Sequence, residues 1–316
     1  MKKLRVGVIG VGYLGQFHAE KYAANPEIDL VGVVDADPAR VAQIAGKLNT
    51  RPFTDPGQLI GEVDAVSIVV PTALHHRVAK KFLERGTHVL LEKPITVTLE
   101  EADELIDCAK RTGAILQVGH IERFNPAVTA VKSLLKSPRY MTAERSAPFT
   151  VRCTDVNVVL DLMIHDLDIV TDLAGSEPKE VSAAGASVIT REIDMATARI
   201  AFHNGCIADI TASRVSDEKM RILRIFDGAS VFMSDYQSQK AAVSRRGDGP
   251  VPTLVAHDIA VERRDTLAEE IHSFVTSVRS GTRPLVSGVE GRRALALALT
   301  ITDAIDKGVS GFVTVS

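Results

Sequence analysis

The sequence predicts an α/β protein, in which a doubly wound parallel sheet is followed by an α+β domain with an open, mostly antiparallel sheet. Up to about residue 120, apolar runs typical of strands alternate with helical patterns, as in parallel sheets. After Gly119, strand follows strand without an intervening helix, which favours antiparallel pairing. The length of 316 residues suits two domains. We place them at residues 1–120 and 121–316, with the last helices able to pack back on the first domain.

The first strand leads into a glycine-rich turn. Residues 6–9 are apolar, and three glycines follow at the spacing G-x-G-x-x-G before a helix begins. The first glycine allows a tight turn, the second lets the backbone approach a pyrophosphate, and the third lets the helix pack on the strand. The helix N-terminus also attracts phosphate. These features predict a Rossmann domain that binds a dinucleotide through Gly10, Gly12, Tyr13, Leu14 and Gly15.

The end of the second strand predicts which dinucleotide binds. Residues 30–34 lead to Asp35, which lies about 20 residues past the last glycine, as the motif requires. A carboxylate there can bind the adenosine ribose hydroxyls and repels a 2′-phosphate. Because Ala36 rather than arginine follows, we predict NAD rather than NADP. Arg40 keeps NADP open, since one helical turn could bring its side chain back to a 2′-phosphate.

Capping residues mark the helix starts in the first domain. Asp37-Pro38 and Asp55-Pro56 each predict an N-cap followed by proline in the first turn. Thr98 and Glu101 predict a capping box, and glycines 86 and 113 predict helix ends. The remaining strands are predicted at residues 65–70, 88–91 and 115–118, which completes a six-stranded doubly wound sheet.

The second domain is predicted to be a sheet with helices on one face. Asn204-Gly205 predicts a hairpin turn, and the polar residues 244–249 are interpreted as a loop. We expect a partner subunit on the uncovered sheet face, in a homodimer or homotetramer. Strands are predicted near residues 140–146, 181–189, 196–202, 206–212, 221–226, 231–235 and 254–261, and helices near 158–173, 267–279 and 288–307.

Composition excludes several classes of function. A net charge of −3 gives no basic field for nucleic acid or for an anionic membrane. Cysteines 108, 153 and 206 stand far apart, which suits a reducing compartment and offers neither a disulfide framework nor a zinc site. Glycines break the apolar stretch after the N-terminal lysines, so we expect no signal peptide, and no stretch approaches a membrane span. We therefore expect a cytoplasmic enzyme without a metal.

Lys93 is the first candidate for chemistry. It follows a predicted parallel strand, at the edge where such sheets hold ligands, between Glu92 and Pro94. The positive nicotinamide ring would lower the pKa of a neighbouring lysine and make it a usable acid or base. The alternative is a solvated loop lysine.

Asp161 and His165 are the second candidate pair. Their i, i+4 spacing places them on one face of a helix that is otherwise strongly apolar. Polar groups on such a helix are costly unless they are paired or face a cleft. Two alternatives remain: an ion pair of His165 with Asp166 or Asp168, and a metal pair, for which the sequence offers no convincing third ligand.

Two further groups lie at predicted loop positions. His75 and His76 follow Pro71-Thr72 at another strand end, where one of them could contact the cofactor; a capping or surface histidine is the alternative. Arg123 and Asn125 lie at the domain junction, where substrate clefts are common. For Asn125 the alternative is a helix cap.

Five stretches together resemble the glucose-fructose oxidoreductase / inositol dehydrogenase / MocA family of sugar dehydrogenases. They are GVIGVGYLGQFHA, PTALHHRVA, LLEKPIT, GHIERFNPAV and DLMIHDLDI, in matching order along nearly the whole chain. The resemblance implies that Lys93, Asp161 and His165 are catalytic. Lys93 and His165 would bracket the reacting hydroxyl, with Asp161 assisting proton transfer or orientation. It also implies cofactor contacts outside the glycine loop at Asp35, Pro71, Thr72, His75, Glu92 and Lys93, and substrate contacts at Lys93, Arg123, Asn125, Asp161 and His165.

The resemblance extends to a substrate class. The runs GHIERFNPAV, DLMIHDLDIV and ASRVSDEKMR look most like enzymes that oxidise the 3-hydroxyl of UDP-N-acetylglucosamine, an early step towards an amino sugar of lipid A. Arg123, Arg214 and Arg221 could then serve the diphosphate. One alternative is an inositol or free-sugar dehydrogenase. Another is a non-enzymatic dinucleotide-binding regulator, because the family includes a yeast galactose co-repressor; the retained catalytic set argues against it.

Overall fold

The chain forms two compact units in the computed structural model, which describes residues 2–150, 156–308 and 313–315. The first unit combines Met1–His120 with Leu267–Arg292, and the second combines Ile121–Thr266 with Arg293–Ser316. A division at residue 120 alone would assign the segment 267–292 to the second domain. Cys153 lies outside the described residues.

The first unit is a six-stranded parallel sheet with helices, as predicted. Its strands are β1 (Leu4–Ile9), β2 (Ile28–Val34), β3 (Arg51–Phe53), β4 (Ala65–Ile68), β5 (His88–Glu92) and β6 (Leu116–Gly119), and its first helices are α1 (Gly15–Ala24), α2 (Pro38–Leu48), α3 (His75–Leu83) and α4 (Leu99–Thr112). The order β3-β2-β1-β4-β5-β6 reverses direction between β1 and β4. In such sheets ligands bind at that reversal, beyond the carboxyl ends of the strands.

Local sequence explains where these helices begin and end. Thr98 Oγ1 accepts the Glu101 N–H, and the Glu101 carboxylate accepts the Thr98 N–H, so the predicted capping box is confirmed. Asp55 caps its helix by accepting the Gly57 N–H at 2.9 Å. That helix is only a single 3₁₀ turn, Pro56–Leu59. It ends at Ile60, whose backbone is extended, just before Gly61 turns the chain with φ of +84°.

The second unit contains a nine-stranded open sheet, which confirms the predicted fold class. The order is β14-β13-β12-β11-β7-β10-β9-β8-β15, and neighbouring strands are antiparallel except β7 and β10. Its strands are β7 (Pro138–Ser146), β8 (Pro178–Ala186), β9 (Met195–Phe202), β10 (Ile207–Ser213), β11 (Met220–Asp227), β12 (Ser230–Asp235), β13 (Lys240–Arg246), β14 (Leu254–Ile259) and β15 (Val313–Thr314), and its helices are α5 (Pro126–Lys132) and α6 (Ile164–Ala174).

The predicted loop at residues 244–249 is wrong in its first half. Residues 244–246 end β13, which pairs with β12 on one side and β14 on the other. Only Ala241 and Val243 of this strand are buried. Their polar side chains indicated a loop. A strand can form there because it lies near the edge of the sheet, where backbone pairing does not require apolar side chains.

The second sheet buries one face. Burial alternates along β9 and β10, with Ala198, Ile200, Ala208 and Ile210 on the covered side. These side chains belong to a core with residues of α5 and α6, such as Val128. The opposite face carries polar side chains such as Asp209 and Thr211 together with the large apolar Phe226, and its residues are half-buried or exposed in the single chain.

Two helices lie near the C-terminal end of the chain, as predicted, and the short strand β15 follows them. They are α7 (Thr266–Ser280) and α8 (Gly288–Asp306). α7 folds with the first unit, where Gln117 Nε2 donates to Glu270 O at 3.2 Å and Arg279 donates to Glu27 O at 3.0 Å. The boundary between the units falls within α8. In the described parts of the chain, the helices lack the combination of length and hydrophobicity that a bilayer span requires.

Candidate functional site

The three glycines of the first loop differ in what surrounds them. A Cβ on Gly10, whose φ is +85°, would lie 2.2 Å from Val69 O, and one on Gly15 would lie 1.8 Å from Gly10 O. These glycines are therefore required by the tight turn and by the close packing of α1. Gly12 has no protein atom within 4 Å of the Cβ position. That open side, next to the start of α1, fits a pyrophosphate that the backbone approaches closely.

Asp35 links the glycine loop to the start of α2. Its carboxylate accepts the Val11 N–H at 3.0 Å and the Asp37 N–H at 3.0 Å, and Arg40 donates to it at 3.2 Å. Asp35 and Arg40 line a groove of about 560 Å³ that also contains Gly12. Arg40, which could have bound a 2′-phosphate, is thus paired with Asp35, whose carboxylate repels such a phosphate.

Replacing Asp35 with serine should move cofactor preference towards NADP. The change removes the ribose acceptor and one of the two carboxylates paired with Arg40, so that Arg40 can bind a phosphate. A charge-assisted hydrogen bond contributes about 1.5–3 kcal/mol. We expect the Kd ratio of NADP to NAD to fall by about 10-fold or more. Fluorescence titration with NADP and with NAD gives the two Kd values from which the ratio is calculated. Asp107→Ser, at an exposed position of α4, is the matched control, and the double variant Asp35→Ser, Arg40→Ala should lose the gain. An unchanged ratio in Asp35→Ser contradicts this role.

His75 connects two strand-end loops. Its Nδ1 and Nε2 lie 2.9 Å from the carbonyl oxygens of Pro94 and Val70, respectively. The side chain is buried, and burial lowers the pKa of His75 despite these carbonyl contacts. The structure therefore places His75 beneath the loops that carry Pro71-Thr72 and Lys93. His76 lies outside, paired with Glu104 at 3.1 Å.

Lys93 directly follows β5 at the carboxyl edge of the parallel sheet, on the edge that also carries Gly10 and Asp35. Its backbone N–H donates to Glu92 Oε2 at 3.2 Å. The Glu92 carboxylate turns inwards, with Oε1 3.2 Å from His18 Nε2. Burial opposes ionisation of Glu92, but His18 and Lys93 hold its pKa below the usual value. Glu92 therefore fixes the turn that presents Lys93.

Asp161 and His165 lie on a helix with a π-helical first turn. That turn spans Val159–Met163, and the Ile164 N–H donates to Val159 O. Both candidates are partly exposed, whereas Val159 and Ile164 are fully buried. π-turns widen a helix and occur frequently at functional sites. The sequence predicted the helix but not this irregularity.

The other acidic residues of this helix are bound to arginines. Asp166 accepts a hydrogen bond from Arg145 at 2.6 Å, and Asp168 accepts one from Arg123 at 3.2 Å. All four side chains are at least nine-tenths buried. Arg145 binds both carboxylate oxygens of Asp166, so the alternative in which Asp166 is the partner of His165 has less support than the sequence alone allowed. The alternative with Asp168 stays open.

Arg123 and Asn125 have their polar groups engaged inside the second unit. Arg123 also bonds Asp172 at 2.8 Å. Asn125 donates to Tyr236 O at 3.0 Å and accepts the Ala127 N–H at 3.1 Å, which is the predicted cap of α5. Substrate binding by Arg123 and Asn125 stays a prediction. These hydrogen bonds to other protein groups give it no support.

Arg214 stabilises the backbone beside the π-turn. Its guanidinium donates to Val156 O and, at 3.2 Å, to Ile193 O. Neighbouring Asp194 is fully buried and accepts three backbone N–H bonds from residues 188–190. Those bonds outweigh burial and hold the pKa of Asp194 well below its usual value. Of the three arginines predicted to serve a diphosphate, Arg221 is the one whose side chain reaches solvent, at 34% exposure.

The chain matches known families and proteins over most of its length. The model of an oxidoreductase family with an NAD-binding Rossmann fold matches residues 4–120, and the GFO/IDH/MocA C-terminal domain matches residues 128–231. The chain is 43% identical over 310 residues to UDP-N-acetylglucosamine 3-dehydrogenase from Acidithiobacillus ferrooxidans, covering 97% of this chain and 98% of that one. A solved structure of that enzyme matches with a TM-score of 0.93 at 41% identity, over 97% and 99% of the two chains.

A more distant relative is scyllo-inositol 2-dehydrogenase (NAD(+)) from Bacillus subtilis. It is 29% identical over 329 residues, covering 97% of this chain and 95% of the relative. The first unit is thus an NAD-binding Rossmann domain, and the predicted cofactor is confirmed. The chain belongs to the glucose-fructose oxidoreductase / inositol dehydrogenase / MocA family of oxidoreductases.

Proposed function

We propose that this enzyme oxidises the 3-hydroxyl of UDP-N-acetylglucosamine with NAD. The observation that carries the proposal is the 43% identity to an enzyme of that name across 97% of this chain and 98% of the relative. The inositol dehydrogenases are more distant, at 29% identity for the example above. The product would be a 3-keto nucleotide sugar, suited to amination on a route to lipid A.

Lys93, Asp161 and His165 are the proposed catalytic residues. A carbinol carbon releases hydride only as its hydroxyl loses a proton, so a base must reach that oxygen. Bound NAD would accept the hydride. Lys93 is fixed by the Glu92 turn, while Asp161 and His165 are the partly exposed polar residues around the π-turn. Whether Lys93 or His165 takes the proton stays open, and Asp161 would orient the substrate or the imidazole.

A substrate panel tests the proposal. The purified protein is incubated with NAD and each of UDP-N-acetylglucosamine, UDP-glucose, free N-acetylglucosamine, myo-inositol and scyllo-inositol, and NADH formation is followed by absorbance. We expect the highest kcat/KM with UDP-N-acetylglucosamine and a ketone at its C3 by mass spectrometry. Faster turnover of an inositol than of any UDP-sugar would favour the alternative dehydrogenase and reject this proposal.

We also propose that a second copy of the chain covers the open face of the second sheet. Arg199 and Asp209 form a two-bond pair across β9 and β10, and Tyr140 donates to Asp209 at 2.5 Å. Tyr140 also contacts Phe226, a large apolar side chain that is 39% exposed. A broad face with satisfied polar pairs and an exposed aromatic suits a self-complementary contact.

Thr211→Lys should dissociate this assembly. Thr211 lies on the uncovered side of the interior strand β10, where the proposed contact would bury a lysine ammonium without a partner, at a high cost. Light scattering at micromolar concentration should give the mass of a dimer or tetramer for the unaltered chain and a smaller mass for the variant. Thr129→Lys, on the exposed surface of α5, should keep the larger mass. A monomeric unaltered chain contradicts the proposal.

A further inference from the structure

A buried histidine and two buried glutamates meet inside the first unit. His18 comes from α1, Glu92 from the end of β5 and Glu270 from α7. One ligand-type atom from each side chain lies within 4.8 Å of the others, and His18 Nε2 is 3.2 Å from Glu92 Oε1. His18 and Glu270 are fully buried, and the Glu92 side chain is 13% exposed. The cluster therefore joins three separate elements in a place that solvent hardly reaches.

Glu270 is the unusual member of the cluster. Both of its carboxylate oxygens are inaccessible, and neither has a hydrogen-bond partner among the residues that the structure describes. A buried carboxyl group without a partner is costly in either protonation state. Burial and the nearby carboxylate of Glu92 raise the pKa of Glu270 well above its usual value. The protein atoms described here thus leave this side chain aimed into the cluster without compensation.

The surroundings orient the other two side chains towards the same point. His18 Nδ1 lies 3.4 Å from Ser67 Oγ, which lies 2.8 Å from the Tyr22 hydroxyl. An Nδ1–H donated to Ser67 would leave the Nε2 lone pair facing the glutamates. Glu92 uses its other oxygen, Oε2, to accept the Lys93 N–H. Such outer contacts are typical of histidine and carboxylate groups that bind metals.

We propose that His18, Glu92 and Glu270 bind one divalent transition-metal cation, with Zn²⁺ as the best match to one imidazole and two carboxylates. In a tetrahedral site with ligand distances of about 2.0–2.1 Å, neighbouring donor atoms are about 3.3 Å apart. The separation of 3.2 Å between His18 and Glu92 fits this geometry. Glu270 must approach somewhat further, which its flexible side chain allows.

A divalent cation would also balance the charge of its ligands. With the ion bound, both glutamates would be ionised and His18 neutral, which gives the three side chains a charge of −2. A shared proton or a buried water could also compensate Glu270, but neither would need all three side chains to converge. The ion would link α7 to β5 and α1 through its three ligands. Because Glu92 also accepts the Lys93 N–H, the ion would stabilise the turn that carries Lys93. The metal proposal does not depend on the proposed substrate, and each can be tested without the other.

Metal analysis of the 316-residue chain tests the proposal. Protein stripped with a chelator is dialysed against micromolar Zn²⁺, and bound zinc is measured by plasma mass spectrometry together with thermal unfolding. We expect one Zn²⁺ per chain and a higher Tm with the ion. Glu270→Gln should lose both effects, whereas Glu100→Gln and His272→Asn, at exposed positions of α4 and α7, should keep them.

A second variant protects the test against misfolding of Glu270→Gln. Ser67→Ala keeps all three ligands but removes the contact to His18 Nδ1, so Zn²⁺ affinity should fall by about 10–100-fold. The proposal is overturned if the unaltered chain binds no more zinc than Glu270→Gln. It is also overturned if Glu270→Gln has the Tm of the unaltered chain with and without Zn²⁺, because that result identifies a protonated, metal-free glutamate.

Discussion

Lys93→Ala and His165→Ala should each lower kcat by about 10²-fold or more while NAD still binds. Each variant removes a group that can accept the hydroxyl proton or hold its oxygen in place. Neither variant changes the hydrogen bonds by which Asp35 accepts the Val11 and Asp37 N–H groups. The kinetics must be measured with the substrate that the panel identifies, and NAD affinity by fluorescence titration.

Two controls separate chemistry from general damage. Lys81→Ala, on the exposed side of α3, and His272→Ala, on the exposed side of α7, remove the same side-chain types where no reaction is expected. Surface substitutions usually change the free energy of unfolding by less than about 0.5 kcal/mol, so both variants should stay folded. Their kcat should therefore stay within about two-fold of that of the unaltered chain. If Lys93→Ala and His165→Ala both retain near-normal kcat, the assignment of the catalytic set is rejected.

The parts of the fold that could be predicted from the sequence are those determined by interactions between residues close together in the chain. The glycine loop is one case, because a Cβ on Gly15 would lie 1.8 Å from Gly10 O within the same loop. The capping box at Thr98 is another, because both of its hydrogen bonds lie within one turn. Strand β13 was missed because its pairing depends on β12 and β14, and its own sequence is polar.

The side-chain networks could not be predicted because their partners are distant in sequence. Arg123 is adjacent to the predicted domain junction, which suggested substrate, yet its carboxylate partners are 45 and 49 residues away on α6. Glu270 lies 178 residues after Glu92, and nothing in the sequence near either residue indicates that they meet. Only the position of His18, one turn into the helix after the glycine loop, could have suggested an inward-facing polar residue.

Arg145 should be among the most important residues for stability, although the sequence did not single it out. Its guanidinium bonds Asp166 at 2.6 Å and Glu122 at 3.2 Å, and all three residues are at least 95% buried. Burial raises the pKa of Asp166 even though Arg145 opposes that effect. Arg221 also reaches Glu122 at 3.2 Å, so two cations balance two carboxylates.

Arg145→Met should lower the free energy of unfolding by about 3–5 kcal/mol, because it leaves a buried carboxylate without compensation. Urea denaturation measures the loss. Arg264→Met removes an exposed pair with Glu262 and should cost no more than about 1 kcal/mol. The double variant Arg145→Met, Asp166→Leu removes one charge of each sign and should recover part of the loss. A loss for Arg145→Met as small as that for Arg264→Met would mean that water or protonation already compensates Asp166.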